Sequence, residues 1–88
     1  MTFAELLAMP KGMGLDEYGK LLDSKHRLIR KIRRASDTIF DEEASLEILA
    51  DEVGSERYNR HLENKKKAEA NIVKAKAKLE QIEKKLNA

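Results

Sequence analysis

A chain of 88 residues without cysteine predicts a single domain with a modest core, and it excludes disulfides, thiolate zinc sites and cysteine nucleophiles. Charged residues make up 39% and aromatic residues 5%, a balance typical of long helices and coiled coils. The charges form blocks: residues 25–34 hold six cations and no acid, residues 37–56 hold eight acids and no Lys or Arg, and residues 57–85 hold ten cations against four acids.

The first 15 residues predict a short helix followed by a loop. Thr2 and Glu5 have the spacing of a capping box, which begins a helix, and Pro10 with the nearby glycines ends it. Three apolar side chains share one face of this helix, namely Phe3, Leu6 and Leu7. Two interpretations stay open: they fold back onto Leu22, Ile29 and Phe40, or they form an apolar anchor for a groove on a partner protein.

A long helix is predicted over residues 16–53. From Tyr18 to Val53 the apolar residues recur in heptad steps, with polar seam positions at Lys25 and Glu42. The poor helix formers of residues 36–38 offer an alternative, in which the helix breaks there and a three-helix bundle results.

A second long helix is predicted over residues 55–87. Gly54 suits a left-handed turn, Ser55 suits the helix N-cap, and a second heptad series runs from Tyr58 to Leu86. A close connection between two helices of similar length predicts an antiparallel, coiled-coil-like hairpin over residues 16–88. The predicted fold class is therefore all-α.

A basic stripe is the most specific candidate site. Its members lie on the side of the first long helix opposite the seam: Arg27, Arg30, Lys31, Arg33 and Arg34. Arginine forks match carboxylate and phosphate oxygens, so the stripe predicts an anionic partner, although a solvated face would look the same. The hairpin sets residues 37–56 against the cations of 57–67, and it brings the stripe beside the lysines of 74–85, where nothing within the two helices compensates the charge.

Residues 45–64 slightly resemble the DNA-reading helix-turn-helix of bacterial sigma factors. The resemblance rests on the Ala-x-x-x-Gly spacing of Ala50 and Gly54. The turn is one residue short after Gly54, and Asn59 stands where the motif has an apolar core residue. The resemblance would imply DNA binding by the second helix of a degenerate motif.

No set of residues predicts catalysis, a metal site, a cofactor or a small-molecule substrate. No stretch approaches the roughly 20 apolar residues that span a bilayer, and no signal peptide is evident, so we expect no membrane contact and a cytoplasmic location. The seam is thin, which predicts self-association or docking on a partner protein. The first hypothesis is a non-catalytic adaptor, assembly factor or inhibitor of the kind found in viruses and mobile elements. The alternative is a nucleic-acid-binding protein that uses residues 25–34 or 45–64.

Overall fold

The computed structural model describes residues 1–87, which fold into three α-helices joined by loops and one 3₁₀ turn. Helix α1 spans Phe3–Leu7, α2 spans Leu15–Ile48 and α3 spans Glu56–Leu86. Helices α2 and α3 pack against each other as a hairpin, and the molecule measures 58 × 20 × 15 Å. The predicted fold is confirmed: all-α, with a short N-terminal helix before a helical hairpin. The last residue of the predicted unit 16–88 lies outside the described residues.

Helix α1 begins with the predicted capping box. The Glu5 backbone N–H donates to the Thr2 hydroxyl at 3.2 Å, and the Thr2 backbone N–H donates to the Glu5 carboxylate at 2.9 Å. These two bonds satisfy donors that the first turn of a helix otherwise leaves free.

Helix α2 runs through residues 36–38 without a break, so the three-helix alternative is not formed. The Thr38 hydroxyl donates to the Arg34 carbonyl at 3.1 Å, which satisfies this side chain inside the helix. Packing of the continuous seam against α3 overrides the weak local propensity. The helix begins after Gly14, and Asp16 lies in its first turn, where a carboxylate is favourable to the helix dipole.

The long helix ends at Ile48, and the prediction that it reaches Val53 is wrong. Leu49 leaves helical geometry, with φ −92° and ψ 18°, while its side chain stays 5% exposed in the seam. The chain then tightens into a 3₁₀ turn at Ala50–Glu52, since it must reverse direction to bring α3 back over Leu49. Val53 is 71% exposed outside the seam, and Gly54 has the predicted left-handed conformation, with φ +91°.

Helix α3 begins where the sequence predicts. The Tyr58 backbone N–H donates to the Ser55 hydroxyl at 3.1 Å, which makes Ser55 the N-cap. Because α3 folds back alongside α2, residues 45–64 form the closed end of a hairpin. The two helices of a helix-turn-helix instead cross at about 90–120°. The degenerate helix-turn-helix predicted at 45–64 is therefore not formed.

The seam between α2 and α3 is the core, and it is thin. Buried side chains are few: Tyr18, Leu22, Leu49, Ala68 and Ala75. The other predicted seam positions of both helices are half-buried, including the polar ones, and Val53 is the exception. Alanine side chains bury little apolar surface, so the hydrophobic stabilisation of the isolated hairpin is small.

Candidate functional site

Helix α1 docks on the open end of the hairpin through its polar side. The Tyr18 hydroxyl donates to the Glu5 carbonyl, and His26 Nε2 lies 3.2 Å from the Glu5 carboxylate. Ala4 and Ala8 line the same crevice, together with Leu22 of α2. A helix of five residues is unstable alone in water, so these contacts with α2 keep α1 in place.

The Glu5 carboxylate is central to this contact. Hydrogen bonds from the Thr2 backbone N–H and from the Thr2 hydroxyl, with a further one from His26, lower the pKa of Glu5 to about 2. All three interactions favour the ionised form over the protonated one. Glu5 is therefore a carboxylate at neutral pH. Its side chain takes part both in the capping box of α1 and in the contact with His26 of α2.

The apolar anchor residues point away from the hairpin. Phe3 is 77% exposed, Leu6 43% and Leu7 73%. The interpretation in which they fold back onto Leu22, Ile29 and Phe40 is wrong, because the Glu5 side of α1 occupies the contact and Phe40 is itself 73% exposed. The structure therefore leaves an apolar surface on a docked helix.

The heptad positions give the hairpin two distinct sides. With Tyr18 and Tyr58 at position a, residues at positions g and c of both helices line the same side. Residues at e and b lie on the other side, and α1 docks there, against Leu22 at e and His26 at b. The apolar anchor and the g and c positions are thus on opposite sides of the hairpin.

The structure divides the predicted basic stripe. Arg27, Lys31 and Arg34 occupy g or c positions and line open grooves between α2 and α3. Arg30 and Arg33 are at positions f and b, so they lie off this side. The five stripe residues therefore do not form one binding site.

Helix α3 supplies further cations to the same side. One groove sets Lys31 and Arg34 beside Lys67, with the amide side chains of Asn64 and Asn71. A neighbouring groove also contains Lys31 and is lined by Arg27, Lys78, Ser24 and Gln81. Lys67 was expected to face the acidic block, and it lines this groove together with Glu42 of that block as well as with the two cations of α2.

The g and c positions are basic along most of the hairpin. Residues seven apart repeat the same heptad position, so the two grooves continue along the hairpin. The cations at the g and c positions form what we call the basic face: Lys20, Arg27, Lys31, Arg34, Arg57, Arg60, Lys67, Lys74, Lys78 and Lys85. The g and c positions also hold two acids, Glu17 and Asp41, which lie toward the two ends of α2. The sequence prediction placed the stripe beside the lysines of residues 74–85, but it did not separate the g and c positions from the f and b positions.

The ion pairs of the structure lie outside the basic face. Lys65 bridges Glu43 at 3.4 Å between the helices, and it lies 3.9 Å from Glu69 within α3. Within residues 1–87, no cation of the basic face makes a salt bridge. The predicted pairing of the acidic block with 57–67 thus involves few contacts, and none of them includes a cation of the basic face.

The comparisons with known proteins add no relative, because no protein-family model, curated protein or solved structure matches the chain. Among residues 1–87, none of the helices has the length and apolar character needed to cross a bilayer.

Proposed function

We propose that this chain is a non-catalytic protein-interaction module, acting in the cytoplasm as a small adaptor, assembly factor or inhibitor of viral or mobile-element type. The observation that carries the proposal is the outward apolar anchor on a docked helix. Phe3, Leu6 and Leu7 sit at i, i+3 and i+4, the pattern by which an amphipathic helix enters an apolar groove. The partner is a protein with such a groove.

The docking of α1 supports this proposal energetically. Free short segments lose conformational entropy when a partner orders them, which weakens binding. Here the capping box and the contacts of Glu5 with Tyr18 and His26 order α1 before a partner arrives. The exposed apolar surface is then available to a partner at a reduced entropic cost.

The test is quantitative capture from the native host with a tagged full-length chain, after nuclease treatment. The double variant Phe3→Ser/Leu7→Ser removes the two most exposed anchor side chains. The matched control is Phe40→Ser/Val73→Ser, whose side chains are 73% and 68% exposed on α2 and α3. We expect the anchor variant to lose the partner at least about tenfold, since a few apolar residues dominate most interfaces, while the control retains it. Equal capture by all three proteins would contradict the proposal.

The apolar anchor could bind a groove on a second copy of the chain or on a different protein, and the two cases are distinguished by the oligomeric state. The chain mass is 10.1 kDa, so sedimentation equilibrium of the pure protein distinguishes monomer from dimer directly. A dimer that dissociates in the anchor variant identifies the groove as belonging to another copy. A monomeric chain that still captures a protein through the anchor identifies a foreign partner.

A further inference from the structure

The basic face lies on the side opposite α1, and its role is independent of the proposed function. We infer that it binds the phosphate backbone of a nucleic acid duplex lying along the groove between α2 and α3. Arg27, Lys31 and Arg34 approach from one helix, and Lys67 and Lys78 from the other. Neither helix alone provides this site.

The electrostatics favour a polyanion. Cations crowded along both walls repel one another, and no acid within the described residues pairs with them. Of the two grooves on the basic face, one is lined by a single carboxylate, that of Glu42, and it is already engaged by His61 Nδ1 at 2.5 Å; the other is lined by none. Binding of phosphates relieves the repulsion and releases counterions from the nucleic acid.

The dimensions suit a duplex. Cations seven residues apart lie about 10.5 Å apart along a helix, and the span from Arg60 to Lys85 is about 38 Å. One turn of duplex DNA measures about 34–36 Å. Between the cations, the amides of Asn64 and Asn71 are further donors suited to phosphate oxygens.

The composition of the face favours nucleic acid over an acidic protein. The buried centre of a protein interface is on average more apolar than the rest of the surface, and lysine is depleted there. Of the exposed apolar residues of α2 and α3, three occupy positions e or b on the other side of the hairpin, namely Leu15, Phe40 and Val73, and Ile48 occupies position c at the end of α2. The g and c positions of residues 20–38 and 60–85 hold no aromatic side chain for base stacking, so the contact is with the backbone and does not read sequence.

The test is fluorescence anisotropy of a labelled duplex, on the order of 30 base pairs or three turns, titrated with the full chain at several salt concentrations. Contact with three to five phosphates gives a log–log salt slope between about −2.7 and −4.5. Two triple variants examine the two walls of the groove: Arg27→Gln/Lys31→Gln/Arg34→Gln on α2 and Lys67→Gln/Lys74→Gln/Lys78→Gln on α3. Each should flatten the slope by about 2 to 3 and weaken binding roughly a hundredfold at 0.1 M salt.

The matched control is Arg30→Gln/Arg33→Gln/Lys84→Gln, which removes the same charge at positions f and b. We expect it to keep the salt slope of the parent chain, with circular dichroism confirming that all variants are helical. An equal loss in the control would overturn the inference, because it would show attraction to net charge alone. A flat salt dependence of the parent chain, or polyglutamate binding as tightly as the duplex, would also overturn it.

Discussion

The imidazole of His61 meets the carboxylate of Glu42 across the seam, with 2.5 Å between Nδ1 and Oε2. Both residues occupy position d, where a coiled coil ordinarily has apolar side chains. The two side chains are 28% and 16% exposed, so the pair is partly removed from water. A polar pair in this setting fixes the alignment of the helices at the expense of apolar burial.

Replacing both members of this pair by leucine should stabilise the hairpin. Glu42→Leu/His61→Leu fills the seam with apolar volume and leaves no unpaired polar group, whereas Glu42→Ala removes a partner and should cost about 1 kcal/mol. Urea unfolding followed by circular dichroism measures both changes. A double variant less stable than the parent chain would contradict this account of the seam.

The hydrogen bond from Tyr18 to the Glu5 carbonyl should control the docking of α1. Tyr18→Phe keeps the buried ring and removes only the hydroxyl, so the docked state should lose about 1 kcal/mol. Amide hydrogen exchange at residues 6–9 should accelerate about fivefold, while exchange in the middle of α3 stays unchanged. Tyr58→Phe, in the other long helix, is the control. Unchanged exchange at residues 6–9 in Tyr18→Phe would show that the bond does not hold α1.

The pKa of Glu5 offers a separate view of the same contact. Because its pKa is lowered from 4.5 to about 2, the ionised carboxylate stabilises the docked α1 fully above about pH 4.5, and this contribution is lost as the pH falls through about 2. Thr2→Val removes the hydroxyl donor, so the Glu5 pKa should rise toward its ordinary value. NMR titration of the Glu5 carboxyl carbon measures the pKa. Thr38→Val removes a hydroxyl far along α2 and should leave it unmoved, and an equal shift in both variants would refute the assignment to Thr2.

The turn between α2 and α3 depends on the left-handed conformation of Gly54. With φ at +91°, Gly54→Ala is strained even though the space around the residue is open, and it should cost about 1 kcal/mol or more. Gly19→Ala is the control, since Gly19 lies inside α2 and an added Cβ would meet only Met1 Cε, at an ordinary contact distance of 3.5 Å. Thermal unfolding should show a lower midpoint for the Gly54 variant alone. Equal midpoints for both variants would mean that the turn tolerates an ordinary residue.

Heptad periodicity predicted the hairpin because one seam dominates its packing. The positions from Tyr18 to Leu49 and from Tyr58 to Leu86 are those that the structure removes from solvent. The end of α2 was predicted too late, since Val53 continues the heptad phase although the chain has already begun to turn. Local periodicity does not report where a partner helix stops covering the seam.

The surfaces were harder to predict than the fold. The orientation of α1 depends on Tyr18 and His26, which lie 13 and 21 residues from Glu5 in sequence, so no local pattern reveals it. The basic stripe was identified on one helix, whereas the basic face combines Lys31 of α2 with Lys67 and Lys78 of α3. Combining the two heptad series in an antiparallel pair is the step that reveals such a face.

The most direct test of the central claim, that the two sides of the hairpin are separate binding surfaces, is an NMR titration of the labelled chain with a short duplex. The account predicts chemical-shift changes at g and c positions of both helices, centred on Lys31, Arg34, Lys67 and Asn71, with the signals of Phe3–Leu7 unmoved. Changes centred on Phe3–Leu7, or confined to α2 around Arg30 and Arg33, would contradict it.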